Sequence, residues 1–235
     1  MKRITFDTNV IGAAFKDGSN VRNQMSSGNY LAYVAETSIT LDGLCKNGKI
    51  DMLAIKPVRH SFKQSRWDLF VSHGITFLLC PRIGLPRPKG RSHQGKEFEY
   101  ALFHRAKEHT YPEASRLQRY FEMLRYIENE LGAGQQWLKN LEQEILKLGG
   151  SYNKQKIWFE NLASNVDKLE EKTIRKRFGD WADADALAAH YAYGNDIFCT
   201  NDSASGAGAN SVMSKSNRTK LSKEFGVLFS KLELL

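Results

Sequence analysis

The sequence predicts an α/β fold with a central parallel sheet, on three observations. Near the start, residues 3–6 (RITF) read as a short strand. Asp7, Thr8 and Asn9 follow it at once, and residues 10–15 then turn apolar and helical. Near the end, residues 181–206 read as a small-residue helix, a stop at Gly194, an apolar strand at 197–200 and a polar turn carrying Asp202. Strand–turn–helix units of this kind build parallel sheets, and ligand sites form beyond the carboxyl ends of their strands. The third observation is size: 235 residues, 41% of them hydrophobic, suffice for one large domain or one domain with a sizeable insertion.

The elements follow in chain order. After the first strand and helix, residues 17–29 are rich in Ser, Asn and Gly and read as a flexible connection. Residues 30–44 read as helical, or as a strand-like entry into a helix, with Glu36 interrupting an apolar run. Asn47-Gly48 ends that stretch, and residues 50–55 make a second strand. Asp42 lies six residues beyond Glu36 and is assigned to the surface or to a cap.

Residues 56–179 are assigned to a mostly helical insertion between two core pieces, 1–55 and 180–235. A helix ends at Gly74, and residues 75–80 (ITFLLC) form a strand. The Pro- and Gly-rich stretch 81–96 cannot be regular; its Arg87, Lys89 and Arg91 read either as phosphate contacts or as a solvated linker. Three apolar stripes at helical spacing follow, one from Leu117 to a stop at Gly132, one from Trp137 to Gly149, and one from Trp158 to Leu169. They fit core packing, a clamp on RNA, or a homodimer surface. Arg175, Lys176 and Arg177 lie just before the small-residue helix and are substrate-contact candidates.

That helix is expected to start at Asp183 as N-cap, with Asp185 in its first turn. Residues 203–224 read as a loop carrying Lys215 and Arg218, and residues 227–232 as an edge strand. His190 is read as packing or exposed. Cys45, Cys80 and Cys199 are far apart and odd in number, so they suggest neither a disulfide framework nor a zinc motif.

Four acids stand out: Asp7, Glu36, Asp185 and Asp202. Three of them lie beside apolar elements, which suggests oxygen ligands for a hard divalent cation, Mg²⁺ or Mn²⁺. The formal net charge of +8 favours a polyanionic partner. No apolar run approaches a membrane span and no signal peptide is evident, so a cytoplasmic location and no membrane partner are expected.

ITFDTNVI at 4–11, the Glu36 run, DALAAHYAYGNDIFCTND at 185–202 and FGVLFSKLELL at 225–235 together resemble the PIN domain family. The resemblance covers roughly the first and last 55 residues; the long middle departs from the family's compact members. It implies an α/β/α sandwich with a central parallel sheet. It also implies a metal-dependent endoribonuclease, with Asp7, Glu36, Asp185 and Asp202 as catalytic metal ligands oriented by Thr8, Asn9, Thr200 and Asn201. The RNA could be tRNA or mRNA, and the chain a VapC-like toxin held by an antitoxin protein. Two alternatives stand beside this: a silent PIN-fold module that docks RNA or protein, and a nuclease acting on DNA in phage defence. A haloacid dehalogenase phosphatase also starts strand-then-Asp, but it needs an acid where Asn9 stands.

Overall fold

A parallel sheet of five strands, in the order β3-β2-β1-β4-β5, organises the chain. The computed structural model describes residues 1–37, 64–81, 100–107, 110–156, 158–168, 171–202 and 211–235. In chain order the elements are β1 (Lys2–Phe6), α1 (Thr8–Ala14), α2 (Asn20–Ser26), β2 (Tyr30–Ala35), α3 (Gln64–Ser72) and β3 (Thr76–Leu78). They continue with α4 (Glu113–Asn129), α5 (Leu141–Lys147), α6 (Trp158–Ser164), α7 (Glu171–Tyr193), β4 (Ile197–Cys199), α8 (Lys215–Phe225) and β5 (Leu228–Ser230).

The strands alternate between two cores, as a sheet covered on both faces requires. Ile4 and Phe6 of β1, Ala32 and Val34 of β2, Phe77 of β3 and Cys199 of β4 pack with α1, α2 and α3. Tyr33 and Ala35 of β2, Leu78 of β3 and Phe198 of β4 pack with α4, α7 and α8. The architecture is therefore an α/β/α sandwich. Among the described residues no helix is long and apolar enough to cross a membrane.

Several expectations are corrected. Residues 17–29 are not a flexible connection, because Ser19 caps α2 by accepting from the Arg22 amide and Val21 is buried. Of the two readings of residues 30–44, the structure shows the strand-like entry into a helix: residues 30–35 are β2, and the backbone turns helical at Glu36. Asp183 is not an N-cap. Residues 171–180 contain no Pro, and Gly179 keeps helical backbone, so α7 begins at Glu171 and carries the basic 172–178 run inside it. Residues 215–225 form α8 rather than loop, since Ser214 caps them by accepting from the Asn217 amide. The strand at 76–78, read inside the middle segment, pairs with β2 in the central sheet. Asp42, Cys45 and the strand expected at 50–55 lie outside the described residues.

Gly194 and Gly226 end α7 and α8 in left-handed backbone, both at φ 68°, where an L-residue is disfavoured. They differ in surroundings. A Cβ on Gly226 meets open space, whereas one on Gly194 would stand 2.8 Å from the Tyr111 ring. Gly226→Ala should cost about 1 kcal/mol, and Gly194→Ala distinctly more, read as shifts in urea midpoint. Equal costs would contradict the packing around Gly194.

Candidate functional site

Parallel pairing brings the carboxyl ends of the strands to one edge of the sheet. Phe6 pairs with Cys199 and with Val34, so Asp7 stands one position beyond both pairs. The order reverses between β1 and β4, which makes the crevice beyond their carboxyl ends a switch point.

Asp7 does two jobs there. It is the N-cap of α1, its Oδ1 accepting from the Thr8 amide at 2.7 Å. Its Oδ2 accepts from the Thr200 hydroxyl at 2.7 Å. The same hydroxyl accepts from Asn9 Nδ2 and from the Asp202 amide, each at 3.1 Å. One donor and two acceptor sites are all a hydroxyl has, so Thr200 is saturated. Asn9 Oδ1 accepts from the Asn201 amide at 3.1 Å, and Asn201 Oδ1 accepts from the Leu232 amide. Thus Asp7, Thr8, Asn9, Thr200, Asn201 and Asp202 form one hydrogen-bonded group. Arg218 of α8 is half-buried beside it and donates to the Asp202 carbonyl.

Glu36 and Asp185 form a second group around Cys80. Glu36 is fully buried, and its Oε2 accepts from the Cys80 amide at 3.2 Å. The Cys80 thiol donates weakly to the Asp185 carbonyl at 3.9 Å and lies 3.6 Å from the Thr37 hydroxyl. Burial first, then the charges of Asp185 and Glu36, push the Cys80 thiol far above its ordinary range. Cys199, behind Asp7, is raised to about 12, by burial and then by the Asp7 charge. Both thiols are buried and neutral.

The height of Asp185 follows from His190. His190 Nδ1 hydrogen-bonds the Thr5 hydroxyl at 2.9 Å, and α7 runs down to β4, whose entry is tied to β1 by the Asp196 amide on the Arg3 carbonyl. Asp185 is five residues up the helix from His190, about 7.5 Å. Asp7 is two residues up the strand from Thr5, about 6.6 Å. The two residues therefore stand at about the same level of the edge, Asp185 lining a small cavity with Arg125, Glu128 and Trp181, and Asp185 and Asp7 are only 2% and 6% exposed. Among the described residues, no three His, Cys, Asp or Glu side chains stand close enough together to hold a metal ion. The oxygen donors suit a hard cation in kind, and they stand as two neighbouring groups.

The basic residues divide. Arg177 ion-pairs with Glu144 and covers the Trp137 ring, so it is a packing residue as well as a surface charge. Lys176 and Lys215 are exposed. Arg175 lies in α7, and Arg87, Lys89 and Arg91 fall outside the described residues. Sequence reasoning missed the role of Cys80, because what it contributes is a backbone N–H, which no side-chain pattern signals. Compared with protein-family models, with curated proteins and with solved structures, the chain has no significant match.

Two outcomes follow. Thr200→Val removes the donor to Asp7 and strands Asn9, so it should destabilise by about 1–3 kcal/mol, while Thr200→Ser should restore most of that in urea unfolding. His190 is pushed down to about 3, by burial and secondarily by Arg3. Its folded pKa lies below the unfolded value of about 6.5, so the unfolded chain binds the proton more readily. The stability from neutral His190 is complete above about pH 6.5 and is lost as pH falls towards 3, with a slope approaching about 1.4 kcal/mol per pH unit. Urea midpoints between pH 7 and 5 should show this slope, and His190→Gln should flatten it.

Proposed function

We propose that the chain is a metal-dependent nuclease that hydrolyses the phosphodiester bonds of RNA. The observation that carries the proposal is the Thr200–Asp7 hydrogen bond, which fixes a buried carboxylate at the switch point of a parallel sheet. Glu36 and Asp185 share that edge and Asp202 borders it. The resemblance to PIN domains supports the same reading, and so does the net charge of +8, which suits a phosphate-rich partner.

Asp7, Glu36, Asp185 and Asp202 would hold Mg²⁺ or Mn²⁺. When bound, such an ion lowers the pKa of water and offsets charge on the phosphate. The chain's own residues do the positioning. Thr200 and the Thr8 amide fix the orientation of Asp7, the Cys80 amide fixes Glu36, and Asn9 ties the β1 turn to the β4 turn. Burial of Asp7, Glu36 and Asp185 keeps bulk water from their inner faces. Exposed Lys176 and Lys215 add to the field that attracts the backbone of the substrate.

A second reading is docking of RNA or protein without turnover, in the cytoplasm or with a partner such as an antitoxin. One observation favours it: among the described residues the acids do not close into a metal-binding group. Incubating the full chain with RNA and DNA, with Mg²⁺ or Mn²⁺ against EDTA, separates the two. Metal-dependent cutting that Asp7→Asn lowers by about a hundredfold or more is expected, with RNA preferred. Cutting of DNA alone would move the assignment to a DNA nuclease. Tight RNA binding without cutting, unchanged by Asp185→Asn, would favour docking.

A further inference from the structure

A cavity of about 500 Å³ opens beside the acidic edge and has Glu36 and Cys80 in its wall. Its size falls in the range of small-ligand sites. None of the functional expectations drawn from the sequence uses its other residues.

Three cations line it: Arg105, Lys107 and Arg116. The first two are fixed by backbone. Residues 104–106 run beside β3, the Phe77 amide donating to the His104 carbonyl at 3.1 Å and the Ala106 amide to the Phe77 carbonyl at 2.9 Å. Two residues apart on extended chain, Arg105 and Lys107 project to the same side. Arg116 is fixed by its side chain. It lies over the Tyr193 ring at 5.0 Å and donates to the Tyr111 carbonyl at 3.1 Å, which uses one of its five N–H donors. Burial raises the Tyr193 pKa, and the charges of Arg116 and Arg105 both work against that, so the two guanidinium groups act on one point of the wall. Tyr193 is itself held, its hydroxyl accepting from the Leu79 amide at 3.3 Å. Leu117 gives the remaining wall an exposed apolar surface, with Tyr120 and Ala192 buried behind it. The acids are Glu113, exposed, and Glu36, already engaged by the Cys80 amide.

Clustered cations on one side and an apolar wall on the other are what a nucleotide needs: charge and forked donors for its phosphate, apolar surface for its base. We infer that this cavity is a subsite for a nucleoside 5′-phosphate, with Arg105, Lys107 and Arg116 on the phosphate and the exposed Leu117 side chain beside the base. In taking the ligand to be a nucleotide of the strand being cut, the inference rests on the nuclease reading. The shared Glu36 makes the subsite continuous with the acidic edge, so a strand seated here would carry its next phosphate towards Glu36.

The test is equilibrium binding to the full chain in EDTA, where no cutting occurs. The probes are the four nucleoside 5′-monophosphates, the corresponding nucleosides and inorganic phosphate. The nucleotides should bind, and both nucleosides and phosphate should bind more weakly by about tenfold or more. The double variant Lys107→Met, Arg116→Met should weaken nucleotide binding by about tenfold or more with an unchanged circular dichroism spectrum. Arg116→Lys alone should lose less. Absence of nucleotide binding by the natural chain, phosphate binding as tightly as nucleotide, or a folded double variant that binds as the natural chain does would each overturn the inference. Asp7→Asn should bind nucleotide normally. Nucleotide binding in a protein that cuts neither RNA nor DNA would strike the nuclease reading alone, and metal-dependent cutting without nucleotide binding would strike the subsite alone.

Discussion

Every strand pairing in this sheet is parallel, and that constraint shapes the rest of the molecule. Parallel neighbours cannot be joined by a tight hairpin, so each pair needs a crossover, and the crossovers cover both faces with helices. It also sends all five carboxyl ends to one edge. There the backbone leaves the ladder and its N–H groups need new acceptors. Asp7 takes the Thr8 amide, Glu36 takes the Cys80 amide, and the Thr200 hydroxyl takes the Asp202 amide. The polar groups that give this edge its chemistry are thus the same ones that close the ends of β1, β3 and β4.

That dual role explains which parts of the fold were legible in the sequence. Strands β1 and β4 announced themselves because an apolar run ended abruptly in Asp7-Thr8-Asn9 and in Asn201-Asp202, and the structure joins those two turns directly. The Gly stops at 74, 132, 149 and 194 were legible for a different reason: each sits in left-handed backbone that other residues resist. The α4 stripe was legible through its period, with Tyr120, Met123 and Ile127 buried one turn apart.

The misreadings have a common physical source. Polar stretches read as loops or helix boundaries in the sequence where a single cap decides the outcome. Ser19 and Ser214 each satisfy one amide and convert a Ser- and Asn-rich or Lys-rich segment into a helix. Conversely, Asp183 has the composition of a cap but lies mid-helix, because nothing before it breaks α7. Glu36 left two readings open for a third reason. A residue at the seam between strand and helix carries both signals, and only the pairing of Tyr30–Ala35 with β1 resolves them.

The placement of the acids is costly, and the cost is informative. Burying a carboxylate is unfavourable unless hydrogen bonds and neighbouring charge offset it. Asp7, Glu36 and Asp185 are nearly or fully buried, Asp7 near the Cys199 thiol and the other two near the Cys80 thiol. A sheet edge under selection for stability alone would carry apolar or neutral residues there. His190 makes the contrast: it is equally buried, but burial keeps it neutral, its Nδ1 hydrogen-bonds the Thr5 hydroxyl and its ring meets Phe198 edge-on. It ties α7 to β1. Asp7 and Glu36 each close a strand end by accepting a backbone amide, work that a neutral amide side chain can also do. What a carboxylate adds is an oxygen pair suited to a hard cation, and the functional reading rests on the one that Thr200 fixes at the switch point.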